Sequence, residues 1–158
     1  MSLQSPVGSD HQLARLLQIG VVLEEVVEAR AAKHAESDAI QGEVQEMLEE
    51  AATESARHRE RLDDIVEELE ADTIPFDEIQ PLVEARYESD QDFDGVLYDQ
   101  LCNEETAYKF YDDLIEAIEQ SEGEFSIDRD RLLSTLREIR DEEEAGVEEV
   151  TTLMETRE

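Results

Sequence analysis

The sequence predicts an all-α fold, an antiparallel four-helix bundle, on three observations. Apolar residues recur every three to four positions through four long segments. No segment alternates apolar and polar residues with the period of two that a half-buried strand shows. Chain breakers are scarce, with six glycines and three prolines in 158 residues. Two of the prolines, Pro75 and Pro81, share one central stretch and divide the chain into halves, each of which reads as a pair of helices. Four helices with one apolar stripe apiece bury those stripes most directly against each other.

The first helix is expected after a Ser9–Asp10 cap and runs to about Asp38, with Leu13, Leu16, Leu17, Gly20, Leu23, Val27 and Ala31 along one side. SDAIQG (37–42) breaks it. The second runs from about Glu43 to Glu70, with Leu48, Ala51, Ala52, Leu62, Ile65 and Leu69 on its stripe. A crossover follows over about 71–92 and includes a short helix near Asp77 to Tyr87. The third helix spans about Phe93 to Gln120, with Leu97, Leu101, Tyr108, Tyr111, Ile115 and Ile118 inward. SEGEFS (121–126) turns the chain, Ser126 or Asp128 caps the fourth helix, and Leu132, Leu136, Ile139, Val150 and Leu153 form its stripe. Short, long and short connections make two antiparallel hairpins joined by a crossover. One domain over 11–158, preceded by a flexible 1–10, suits the length.

Composition narrows the partners. Forty-five acidic residues face thirteen basic ones, for a formal net charge of −32. Leu, Ile, Val and Phe still make up about a quarter of the chain, above the roughly one-fifth below which chains stay disordered. A folded protein with an acid-coated surface follows. In dilute buffer such a surface repels itself. At about 1 M salt the screening length is only ~3 Å, so a halophilic host is the simplest setting. Nucleic acid and anionic membranes, both polyanionic, are excluded as partners. No stretch approaches the ~18 apolar residues of a membrane span. The start, MSLQSPVGSDHQ, has no basic region ahead of an apolar run, so no secretory signal is expected. A lone cysteine, Cys102, fits a cytoplasmic location.

Chemistry in a bundle shows as polar residues interrupting the inward stripe. Continuing each stripe by threes and fours places Glu24 inward on the first helix, with Glu28 as runner-up. The second helix contributes Ser55 and His58, the third Glu104 and the fourth Glu143. Glu142 and Glu144 are expected to point elsewhere. Glu54 is about 100° around the helix from Ser55 and would need a shifted helix to join. Buried carboxylates need a partner, and a divalent cation among three of them and one histidine would neutralise the cluster. Oxygen and imidazole donors suit iron, manganese or zinc. The plainer alternative is that glutamates are so common here that some fall on any stripe, and long ones reach solvent from its edge. Tyr108 and Tyr111 read as core aromatics, with Tyr111 also placed to sit beside a metal. His11 and His34 show no evident partner. No Gly-rich phosphate loop, paired-cysteine metal site or nucleophile–base constellation is present, so no catalytic residue is assigned.

The segments LQIGVVLEEVVEARAAKHA (17–35), HRERL (58–62), NEETAYKFY (103–111) and EIRDEEEAG (138–146) together resemble the ferritin-like superfamily, in particular the rubrerythrin-type dimetal-carboxylate proteins. That pattern has Glu on the first helix, Glu-x-x-His on the second, Glu on the third and Glu-x-x-His on the fourth. The resemblance maps Glu24, His58, Glu104 and Glu143 onto metal ligands. Two positions depart from it: Ser55 stands where the second-helix Glu belongs, and Gly146 where the fourth-helix His belongs. The resemblance thus implies a ferritin-like protein that holds iron or another divalent metal, as one ion or a reduced dinuclear site, with iron-handling or redox activity carried by the metal. The alternative is a non-catalytic interaction or scaffold bundle that has lost the site. In that case Glu24, Glu104 and Glu143 should turn to solvent or pair with Arg30 and Arg57. A homodimer suits either reading, because long bundles often pair along a face.

Overall fold

The computed structural model describes residues 9–37, 40–69, 78, 81, 95–121 and 125–156. Four helices carry these residues: α1 (Asp10–Ala35), α2 (Glu43–Glu68), α3 (Val96–Glu119) and α4 (Arg129–Thr156). No strand occurs among the described residues. Residues 1–8 of the expected flexible start lie outside them, while Ser9 and Asp10 belong to the start of α1; the crossover over 71–92 and its short helix lie outside them save for Glu78 and Pro81.

Local chemistry sets the helix starts. Ser9 caps α1, its side chain accepting from the Gln12 backbone N–H at 3.2 Å, which satisfies one of the free donors of a first turn. Asp10 is the first helical residue, and its carboxylate accepts from the Ser126 backbone N–H at 3.1 Å, tying the start of α1 to the α3–α4 turn. Of the two candidates for the α4 cap, Asp128 takes the role: its carboxylate accepts from the Asp130 N–H at 3.0 Å, and its carbonyl from Leu132.

Contacts between helices fix the topology. α1 and α2 pack closely, as do α3 and α4. Glu28 of α1 meets Arg59 of α2, while Ala35 at the end of α1 meets Gln45 near the start of α2. This hairpin is therefore antiparallel. In the second hairpin Glu119 meets Arg137 and Asp112 meets Arg140, again antiparallel. α1 runs antiparallel to α3, through Tyr111 with Glu24 and Asp99 with Arg30. α2 runs antiparallel to α4, through Arg57 with Glu142 and Arg61 with Glu138. Hence α2 and α3 are parallel, so the end of α2 and the start of α3 lie at opposite ends of helices about 39 Å long at ~1.5 Å per residue. That separation explains why the middle connection is long and the other two short.

Two apolar clusters fill the bundle. The larger includes Leu13, Leu17, Leu62, Leu114, Ile118, Leu132 and Ile139. The smaller lies toward the α1–α2 turn, around Ala31, Val44, Met47, Leu48 and Val150. Gly20 lets the helices close up in the larger one, where a Cβ would lie 3.0 Å from Phe110 and 3.1 Å from Leu62. Tyr111 is buried there as expected, but Tyr108 is only half-buried, and Phe110 is the second core aromatic of α3. On α2 the two clusters are separated by Ser55 and His58, and on α4 by Glu143. This polar layer is the candidate site.

Candidate metal centre

One ligating side chain from each helix enters the layer. Glu24, His58, Glu143 and Glu104 are 0 %, 0 %, 3 % and 5 % exposed, respectively. The inward placement that the stripes predict therefore holds for all four. The alternative expectation, carboxylates turned to solvent or tied to arginines, does not. Arg30 binds Asp99, and Arg57 binds Glu142.

His58 is at the centre. Its Nδ1 lies 3.1 Å from Glu143 Oε1 and 3.4 Å from Glu24 Oε1. Donors bound at about 2.0–2.2 Å to one cation sit roughly 2.8–3.6 Å apart across octahedral and tetrahedral geometries, so these spacings fit a shared ion. Glu24, His58 and Glu143 offer ligand atoms all within 4.8 Å of one another. A second set, Glu54, Glu104 and Glu143, meets the same limit. The two sets share Glu143, so the cluster offers one nitrogen-containing position and one all-oxygen position side by side.

Neighbouring groups orient these side chains. The Tyr111 hydroxyl donates to Glu24 Oε1 at 2.6 Å. Gln100 Nε2 donates to Glu104 Oε1 at 2.8 Å. Glu24 Oε2, fully buried, has no hydrogen-bond donor among the described residues. A buried carboxylate oxygen without a donor is costly. A cation, a proton shared from Glu143 or a buried water would satisfy it. The donor set, the spacing and this oxygen all fit a divalent metal.

Burial pushes the Glu143 carboxyl well above the usual carboxylate range, and the charges of Glu24 and Glu104 push it further. Burial likewise raises Glu104, against the hydrogen bonds from Glu143 and Gln100. Burial pushes Glu54 up to about 7, opposed by His58 and reinforced by Glu104 and Glu142. For His58, burial favours the neutral ring. The hydrogen bond and charge of Glu24, with Glu54 and Glu142, outweigh that effect and raise its pKa.

Three residues behave differently from the sequence expectation. Glu54 joins the cluster without any shift of α2. Measured from His58 and not from Ser55, it is only about 40° around the helix, closer than Ser55 at ~60°. A four-residue step from His58 would have found it. Glu142, expected to point elsewhere, reaches His58 Nε2 at 3.4 Å from the flank of α4. His34, without an evident partner in the sequence, lies 2.8 Å from Asp99 Oδ2, where Arg30 also binds. Buried Asp99, Gln100 and Asn103 are not among the residues the sequence singles out, although a four-residue step back from Glu104 reaches Gln100. Ser55 is buried beside His58. Gly146, where the resemblance expects histidine, leaves space that Glu104 fills. A Cβ there would lie 2.6 Å from Glu104 Oε2.

Fold and site together define an all-helical four-helix bundle whose buried carboxylate–histidine cluster could hold a metal ion. No known protein family, curated protein or solved structure matches the chain. No helix among the described residues is long and apolar enough to cross a membrane.

Proposed function

We propose that this protein is a ferritin-like bundle that binds a divalent cation, iron or an ion of similar chemistry, through Glu24, His58, Glu104 and Glu143. Residues 11–158 form its single domain. The observation that carries this reading is the fully buried Glu24 carboxylate, with one oxygen lacking a donor, beside His58 and Glu143. His58 would ligate through Nδ1 and donate from Nε2 toward Glu142, the kind of outer hydrogen bond that fixes a metal-bound ring. Tyr111 would hold Glu24. An iron centre of this kind supports iron handling or redox chemistry, with an external electron donor since the chain has no paired cysteines. The acidic surface suits a salt-rich cytoplasm, and a homodimer is the assembly to look for by light scattering.

A second reading has its own observation. Both ring nitrogens of His58 face carboxylates, so a protonated ring with proton-sharing acids can neutralise the layer without metal. The bundle would then be a non-catalytic scaffold. Metal analysis of protein purified in high salt and loaded with Fe2+ separates the two. About one bound ion or more per chain, lost in His58→Ala, is expected for the metal protein. No ion in either form leaves the scaffold.

A further inference from the structure

The four proposed ligands are sealed from solvent, so a cation can reach them only past another group. Two half-exposed carboxylates stand outside them. Glu54 of α2 and Glu142 of α4, with side chains 30 % and 34 % exposed, face His58 Nε2 at 3.9 and 3.4 Å. Beyond Glu54 an open groove of about 440 Å³ runs along α2, lined by Glu46, Glu49, Glu50, Thr53, Glu54 and Arg57. An acidic residue of α4, Glu149, lies near Glu50 of this lining. Glu149 has a raised pKa, through burial and then through the charge of Glu50 across the seam. Among the described residues that line it, the one cation is Arg57, which lies 3.4 Å from Glu142. At the inner end, Glu54 offers an oxygen within 4.8 Å of ligand oxygens on Glu104 and Glu143. Among the described residues, Glu54 alone belongs to both the groove and the buried cluster.

We propose that this groove is the doorway for the divalent cation, and that Glu54 takes the ion from solvent and passes it to Glu104 and Glu143. The proposal rests on the metal-binding reading above. An acid-coated surface attracts cations everywhere, but here surface carboxylates continue through one side chain into buried ones. The buried end also holds the donorless Glu24 oxygen that a cation would satisfy. Glu46, Glu49 and Glu50 are exposed and outside the cluster, so they affect arrival and not the bound state. Glu54 affects both. A hydrated ion must shed waters to enter, and carboxylates at successive depths replace them one at a time.

The test is stopped-flow uptake of Co2+ by the full chain, at the lowest salt that preserves its helical circular dichroism. Glu46→Gln/Glu49→Gln/Glu50→Gln is compared with Asp63→Asn/Asp64→Asn/Glu67→Gln. The second variant makes the same charge change on exposed residues at the other end of α2. Removing three like charges from a chain of net −32 relieves repulsion, so both variants should keep the fold. The groove variant should slow uptake by about tenfold, within the range that charged clefts impart to on-rates. Its final d–d spectrum and stoichiometry should be those of the wild type, and the control should stay within about twofold of the wild-type rate. Glu54→Gln should slow uptake and also alter the spectrum. Equal rates in groove and control variants would overturn the doorway while leaving the metal site standing. A wild-type protein that takes up no Co2+ would overturn both.

Discussion

Gly146 shows how one side chain's absence shapes the site. In a helix interior glycine costs up to about 1 kcal/mol relative to alanine, so its presence in mid-α4 calls for a reason. The Glu104 carboxylate supplies it, lying where a Cβ would sit. Gly146→Ala must displace that carboxylate. The expected outcome is stability within about 1 kcal/mol of wild type, since the gain in helix propensity offsets the clash. Co2+ affinity should fall about tenfold or more, the order seen when groups supporting a metal ligand are disturbed. Unchanged affinity by calorimetric titration would remove Glu104 from the site. Ser55 has the opposite lesson. The carboxylate that the resemblance expects is missing at that position, yet Glu54, one residue earlier, brings an oxygen to the same cluster from the other side of His58.

At the level of helices, the start of α3 depends on α1. Asp99 is buried near the N-terminus of α3 and receives Arg30 Nε at 3.2 Å, a second bond from Arg30 Nη2, and His34 Nε2 at 2.8 Å. This anchor is the neighbour of Gln100 and lies five residues before Glu104, so it also sets where that α3 carboxylate stands. Asp99→Asn removes the buried carboxylate charge that Arg30 and His34 share. It should cost about 2–3 kcal/mol, the usual worth of hydrogen bonds to charged groups in such a setting. Chemical denaturation at fixed salt measures it. A loss below about 0.5 kcal/mol would mean that the anchor is a surface pair of no structural weight.

For the whole molecule, charge and pH dominate. Glu54, Glu104 and Glu143 hold their protons more tightly in the fold than in the unfolded chain. Their contribution is therefore complete below the ordinary carboxylate value of 4.5 and is lost as pH rises through the folded values. For Glu54 that window runs from 4.5 to about 7. His58 has the same sign, its raised pKa giving stability present below 6.5 and lost above the folded value. In molar KCl, which screens the surface charge, the Tm of the metal-free protein should fall between pH 5 and pH 8. Because a cation competes with protons for the same atoms, added Zn2+ should raise Tm more at pH 8 than at pH 5. Glu54→Gln should flatten part of the metal-free slope. A Tm that rises over this range without metal would contradict the protonated cluster.

The apolar spacing by itself determined the four helices, their order and their inward faces. Stripes continued by threes and fours also brought Glu24, His58, Glu104 and Glu143 inside, because helical periodicity is a local property of the chain. Residues on the flanks of a stripe were decided only by the tertiary structure. Glu142 sits far enough around α4 to face solvent, and it reaches His58 of α2 because a long side chain bends toward a seam that only two packed helices create; Glu54 is one local turn from His58, but its approach to Glu104 and Glu143 depends on the other helices. The same holds for Asp99, whose partners lie 65 and 69 residues away on α1, and for the space at Gly146 that Glu104 fills. Periodicity says which way a side chain points, whereas what it meets depends on the other helices.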